Sequence, residues 1–327
     1  MSRIGVIGAG AWGTAIAHTM AANGYDTTLW ARSANTAAQI NRDRQNRQYL
    51  GKIKLHSDLV ATNEMSAALN DHDFIFLATP AQTTEAIANT MMHEGLSTAA
   101  SIICCAKGLN QHTRKRVSET VADVLINNTI MALSGPSFAH DVASGLPTAV
   151  TLAGEQMEPT LAACRSLSSP TLRLYASDDL RGVELGGALK NVMAIAAGIV
   201  KGAGLGESAK AALIARGFVE IERLAQAYGA QPDTLKGLSG LGDLVLTCGS
   251  TQSRNYSFGL VLADKSIADT NKLAEGAYTA ESARRLAHEL KVEAPVIAAV
   301  ADVLSGQQTV VQAVESLTSR PVKAELD

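Results

Sequence analysis

Residues 3–24, RIGVIGAGAWGTAIAHTMAANG, constrain the fold more than any other stretch. A short β-branched run meets three glycines, Gly8, Gly10 and Gly13, in the spacing G-x-G-x-x-G, and an alanine-rich helical run follows and stops at Gly24. A strand, a glycine turn and a helix in that order open a βαβ unit. Gly8 suits the tight turn, Gly10 lets the backbone approach a pyrophosphate, and Gly13 lets the helix lie close on the strand. The first turn of the helix then presents unpaired N–H groups to an anion. A glycine-rich turn without a ligand is the plainer reading. The spacing alone is a weak signal, and the flanking strand and helix are what strengthen it.

The following segments keep this rhythm. YDTTLWAR, DHDFIFLATP, ASIICCAKGL, TIMALSGPS and TAVTLAG read as five further strands, with helical runs such as AQTTEAIANTMMHEG between them. Strands separated by helices predict a parallel sheet with crossover helices. After about residue 180, β-branched runs become scarce, and helical patterns cover 183–201, 207–229, 255–264, 277–290 and 295–304. The expected fold is α/β: a doubly wound domain over 1–181, then an all-helical domain over 182–327, with the boundary near Asp178–Gly182. A chain of 327 residues is long for one domain and comfortable for two.

Composition narrows the function. A net charge of -3 with no long basic run argues against a general nucleic-acid binder and gives no membrane-surface signal. The N-terminus lacks a continuous apolar region followed by a cleavage site, and no run of about twenty apolar residues suggests a membrane span. Cys104, Cys105, Cys164 and Cys248 form no C-x-x-C pair, and no histidine stands near them at zinc spacing. Reduced, buried thiols in a cytoplasmic protein, with no metal site, are expected. His18 and His140 read as packed or helix-surface residues, and His72 as part of a turn. RDRQNRQ, residues 42–48, reads as a solvated loop, with a role in covering a cofactor as the sharper alternative.

Several residues stand where chemistry is possible. The second strand ends LWARS, with Arg32 where NAD-selective sites tend to carry an acid. A guanidinium there can grip a 2′-phosphate or merely cover an adenine face, so NADP and NAD both stay open. Lys107 follows one strand, and Gly135 and Ser137 follow another in SGPSFA. Ligands of open α/β sheets bind at such carboxyl ends. In GLGDLVLTCGSTQSRN, Asp243 lies beside a glycine-rich turn, and Ser253, Arg254 and Asn255 precede a helical run. Hydroxyl, guanidinium and amide donors at a positive helix end suit a phosphate monoester. Finally, GVELGGALKNVMAIAAGIVKG, residues 182–202, is small and apolar around Lys190. Such a lysine reaches back to water, pairs with an acid, or has a chemical task.

Taken in order from residue 8 to residue 276, the stretches GAGAWGTAIA, AKGL, SGPSFA, GLPTAV, ELGGALKNVMAIAAGI, GLGDLVLTC, SRN and AEG resemble the bacterial-type NAD(P)-dependent glycerol-3-phosphate dehydrogenases. The resemblance implies a Rossmann-type first domain, a homodimer, and reduction of dihydroxyacetone phosphate by NAD(P)H to sn-glycerol 3-phosphate for glycerophospholipid synthesis. It implies that Lys190 is the proton donor and acceptor. By the same resemblance Lys107, Gly135, Ser137, Asp243, Ser253, Arg254 and Asn255 contact substrate. Gly8, Gly10, Ala11, Trp12, Gly13, Arg32, Lys107, Ala139, Arg254, Leu273 and Glu275 contact cofactor. The chain departs from the family pattern in places. Ala11 stands where many members have serine, Tyr256 and Ser257 follow Asn255 where members often have arginine, and KLAEGAY replaces a valine-rich version around Glu275. The SRN triplet separates this reading from reductases of unphosphorylated ketoacids. A ketone gaining hydride needs a proton on its oxygen, which a lysine ammonium can deliver. Burial and the charge of Lys107 are expected to lower the Lys190 pKa from the free value of about 10.4.

Overall fold

The computed structural model describes residues 2–263 and 274–321. The first half runs β1 (Arg3–Ile7), α1 (Ala11–Ala22), β2 (Asp26–Trp30), α2 (Ala34–Asp43), α3 (Arg47–Leu50), β3 (Val60–Thr62), β4 (Phe74–Leu77), α4 (Thr84–His93), β5 (Ser101–Cys104), α5 (Val117–Ala122), β6 (Ile130–Ser134), α6 (Ala139–Ala143), β7 (Thr148–Gly154), α7 (Met157–Leu167) and β8 (Leu172–Ser177). The second half runs α8 (Leu180–Gly202), α9 (Glu207–Ala227), α10 (Asp243–Gly249), α11 (Arg254–Ala263), α12 (Glu275–Glu289), α13 (Pro295–Leu304) and α14 (Val310–Thr318).

Among the described residues the strands form one sheet in the order β3-β2-β1-β4-β5-β6-β7-β8. Four of the five β1 residues are buried, as a central parallel strand covered on both faces requires. The strand order reverses beside β1, where Ile7 pairs with Trp30 of β2 on one side and Leu77 of β4 on the other. This reversal opens a crevice at the carboxyl ends of β1 and β4.

The sheet differs from expectation in two ways. It has eight strands, not six. β3 is only three residues long, too short to show a period. β8 does alternate, with Leu172 and Leu174 buried and Arg173 and Tyr175 exposed, but the serines and proline around it mask the run. The sheet is also not parallel throughout, because β7 runs antiparallel to β6 and carries β8 parallel to itself. The connection from β6 holds only the five-residue α6, which packs on α1 rather than spanning the sheet. A parallel return needs a longer crossover element.

The segment 42–48 is likewise not a solvated loop. It closes α2 and opens α3, and Asn46 within it is 1% exposed. The Asn46 amide donates to the Ala9 carbonyl at 2.9 Å and to Thr14 Oγ1 at 2.8 Å. A buried side chain anchoring backbone from the glycine turn cannot be told from its charged neighbours by composition.

The second half is organised around α8. Asp179 caps it, accepting from the Gly182 N–H at 2.9 Å, and every residue from Gly182 to Val200 is buried. α9, α10, α11, α12 and α13 all pack on it. The α8–α11 crossing is close enough that a Cβ on Gly198 would strike the Tyr256 carbonyl, and one on Gly259 would strike the Ile195 carbonyl. α10 and α14 lie outside the five helical patterns read from sequence, being only 7 and 9 residues long. α8 is long and apolar enough to cross a membrane, yet its apolar window is wholly buried in the protein's own core. Its first turn reaches the sheet, where Leu180 and Val183 pack with Ala132 of β6 and Ala153 of β7.

Candidate active site

The glycine turn has the shape its spacing predicts. Gly8 has φ 117°, and a Cβ there would come 2.8 Å from the Ala78 carbonyl oxygen. A Cβ on Gly13 would collide with the Gly8 carbonyl, so helix and strand touch here. Gly10 differs: nothing lies within 4 Å of where its Cβ would be. The N-terminus of α1 behind it has no side-chain cap and no acid in its first turn. An open cradle before unpaired N–H groups fits the pyrophosphate of a dinucleotide. Ala11, Trp12 and Ala139 are each partly buried against the core of the first half. Arg32 stands exposed two residues past the end of β2, and Ser33 beside it caps α2.

Two lysines converge on one carboxylate. Lys190, 6% exposed on α8, donates to Asp243 Oδ1 at 2.6 Å and to Thr247 Oγ1 at 2.6 Å. Lys107, on the loop after β5, donates to Asp243 Oδ2 at 2.6 Å and to the Gly135 carbonyl at 3.0 Å. The Ser137 hydroxyl donates to that same carbonyl at 3.0 Å. The Thr247 hydroxyl donates to Asp243 Oδ1 at 3.2 Å. Of the three readings open for Lys190, reaching back to water is excluded by this geometry. Burial, then the charge of Lys107, lowers the Lys190 pKa to about 8, against the pull of Asp243. Burial works against the Asp243 carboxylate, but the two ammonium groups outweigh it and hold its pKa below the usual range.

The Ser-Arg-Asn triplet divides its work. Ser253 Oγ accepts from the Tyr256 N–H at 3.2 Å, a cap on α11, and Asn255 Oδ1 accepts from the Gly276 N–H at 2.9 Å, tying α11 to α12. Arg254 between them is exposed. Glu275, the first residue of α12, accepts from the Ala81 N–H across the crevice. Burial raises its pKa, and the charges of Arg254, Lys107 and Lys190 oppose that rise. The group therefore holds three cations and two carboxylates, a net positive site in a negative chain. Leu273 lies outside the described residues.

Comparison with known proteins gives the family. Residues 3–160 match the family model for the NAD-dependent glycerol-3-phosphate dehydrogenase N-terminus, and residues 179–315 match that for the C-terminus. The chain is 48% identical over 322 residues to a glycerol-3-phosphate dehydrogenase [NAD(P)+] of Chelativorans sp., covering 98% of each. The chain belongs to the NAD-dependent glycerol-3-phosphate dehydrogenase family. The protein of the same name from Brucella canis is 47% identical over 326 residues, with 99% of each covered. The crystal structure of the Coxiella burnetii glycerol-3-phosphate dehydrogenase superposes with a TM-score of 0.91 at 34% identity, covering 98% of this chain and 99% of that one.

In this glycerol-3-phosphate dehydrogenase family member, three polar groups at the site went unread in the sequence. Asn191 donates its amide to the Lys107 carbonyl at 3.0 Å, Thr247 bridges Lys190 and Asp243, and Asn46 pins the glycine turn. The signal for Thr247 was its place four residues after Asp243 on one helix face. Asn191 simply follows Lys190, where an amide in a buried helix also needs a partner.

Proposed function

We propose that this chain catalyses the reversible reduction of dihydroxyacetone phosphate by NAD(P)H to sn-glycerol 3-phosphate, with Lys190 as proton donor and acceptor. The observation that carries the reading is the Lys190–Asp243–Lys107 arrangement: a buried ammonium, lowered to about 8 and held by a carboxylate that also binds the lysine of the loop after β5. Bound NAD(P)H supplies the hydride that adds to the ketone carbon. Lys190 polarises the ketone oxygen and delivers its proton as negative charge grows there, and in reverse the neutral amine accepts the alcohol proton. Asp243 orients the ammonium and keeps it charged until the proton is needed. Lys107 and Arg254 provide positive charge for a phosphate, and Gly135, Ser137, Ser253 and Asn255 shape its seat.

Residues 1–181 hold the cofactor in this reading, and 182–327 complete the substrate site. Gly8, Gly10 and Gly13 seat the pyrophosphate, with Ala11, Trp12 and Ala139 alongside and Glu275 closing the far wall. Arg32, with no acid beside it at the end of β2, favours NADP over NAD. We place the enzyme in the cytoplasm as a homodimer feeding glycerophospholipid synthesis, as the resemblance implies. The test is oxidation of NADPH, and separately NADH, with dihydroxyacetone phosphate by wild type and Lys190→Ala. Turnover by wild type, lost in a variant that still binds NADPH, supports the reading. A cofactor-bound wild type with no turnover would overturn the substrate, and an active variant would overturn the role of Lys190.

A further inference from the structure

The loop that carries Lys107 is a hairpin pinned to α8 at two places. Leu109 and Arg116 pair in an antiparallel bridge, and the Asn110 N–H donates to the Lys115 carbonyl at 3.0 Å. Near Lys107, Asn191 holds the hairpin by the Lys107 carbonyl. At the base, the Arg116 guanidinium donates to Glu184 Oε2 at 2.5 Å. The Ser118 N–H donates to Glu184 Oε1 at 2.8 Å, and the Ser118 hydroxyl completes the carboxylate's partners. Arg116 also donates to Glu119 at 3.0 Å, which accepts from the Tyr228 hydroxyl just past α9 at 3.1 Å. Arg116 and Glu184 are 5% and 8% exposed, so this pair is taken out of water.

Glu184 and Asn191 stand seven residues apart, about two turns along one face of α8. Lys190 is about 100° round the helix from Asn191 and reaches α10 instead. The hairpin therefore meets one face of the helix, while the second lysine leaves from the next. Asp243 joins the two from outside. A buried ion pair is a poor source of net stability, since an apolar pair of similar volume often does as well. What it provides is a fixed geometry, because either charge left alone is strongly unfavourable.

We propose that Glu184, acting through Arg116, is a positioning residue: it fixes the Lys107 hairpin against α8 so that one Asp243 carboxylate meets both ammonium groups. The inference rests on the reading of Lys190 as the proton-transfer group. The ionisable groups acting on Lys190 or acted on by it are Lys107 from the hairpin, Asp243 and Cys248 from α10, and Glu275 from α12, with Lys210 of α9 acting on Cys248. When the hairpin relaxes, Lys190 loses a like charge and keeps more of Asp243. Both changes favour its ammonium form.

The experiment compares wild type with Glu184→Gln and with the double variant Arg116→Met/Glu184→Leu, which removes both charges should the single variant fail to fold. Three readouts are taken: the pH profile of dihydroxyacetone phosphate reduction, KM against kcat, and NADPH affinity without substrate. The expected result is a fall in kcat/KM of about tenfold, a higher KM for dihydroxyacetone phosphate, unchanged NADPH affinity, and an alkaline limb about one pH unit higher. A folded variant whose alkaline limb stays at the wild-type pH overturns the proposal, however much activity it has lost. A wild type with no alkaline limb overturns the Lys190 reading and this inference with it.

Discussion

An ammonium group buried beside another ammonium gives up its proton early. With the Lys190 pKa near 8, reduction of the ketone, which needs the charged form, is expected to decline as pH rises through about 8. Oxidation of the alcohol, which needs the neutral amine, is expected to rise over the same range, and paired pH–rate profiles in the two directions check both limbs. The stability consequence has the opposite sense to that of a lysine whose partner raises its pKa, because burial and Lys107 outweigh Asp243 here. Between about 8 and the ordinary value of 10.5 the unfolded chain binds the proton that the folded chain has released, so folding stability gains with pH across that window. Lys190→Met abolishes that gain, as denaturant midpoints at pH 7.5 and 10 would register. Lys190, Lys107 and Asp243 were legible because each is a charge interrupting an apolar or glycine-rich pattern. Thr247, Asn191 and Asn46 were not read, because a neutral polar residue interrupts a pattern less sharply than a charge, and their partners are fixed only once the chain is folded.

Within the first βα element, two glycines of one motif have opposite consequences. Gly13→Ala drives a methyl group into the Gly8 carbonyl, a backbone atom that cannot rotate away, and should cost about 3 kcal/mol or prevent folding. Gly10→Ala meets nothing within 4 Å, so the thermal midpoint should hold while NADPH affinity drops about tenfold, measured by fluorescence titration. The α8–α11 crossing behaves like Gly13: Gly198→Val sets side-chain atoms against the Tyr256 carbonyl and should lower stability by about 3 kcal/mol in urea. The order of elements was readable at this scale, since hydrophobic period and glycine placement are local. Strand direction was not. The residues of β7 would look the same in either orientation, and only the short α6 connection decides it.

The whole molecule is less divisible than its two compositions suggest. The first turn of α8 shares a cluster with β6 and β7, and Glu184 carries the charge that neutralises Arg116 of the sheet half. A fragment ending at residue 181 therefore leaves Arg116 with Glu119 but without its buried partner Glu184, and an apolar sheet end uncovered. It should be insoluble or only partly folded, whereas the full chain should unfold in one cooperative step by circular dichroism and fluorescence alike. The length of α8 has a further consequence during synthesis. The helix is complete at Gly202, but the partners that cover it extend to Leu304 of α13. At a typical elongation rate, roughly 5–20 s pass before the last of them has been made. Throughout that interval the nascent chain displays a segment whose length and apolar content would suit a lipid bilayer. Ribosome-bound chains halted near residue 250 should accordingly cross-link to chaperones through α8, and the released, folded chain should not.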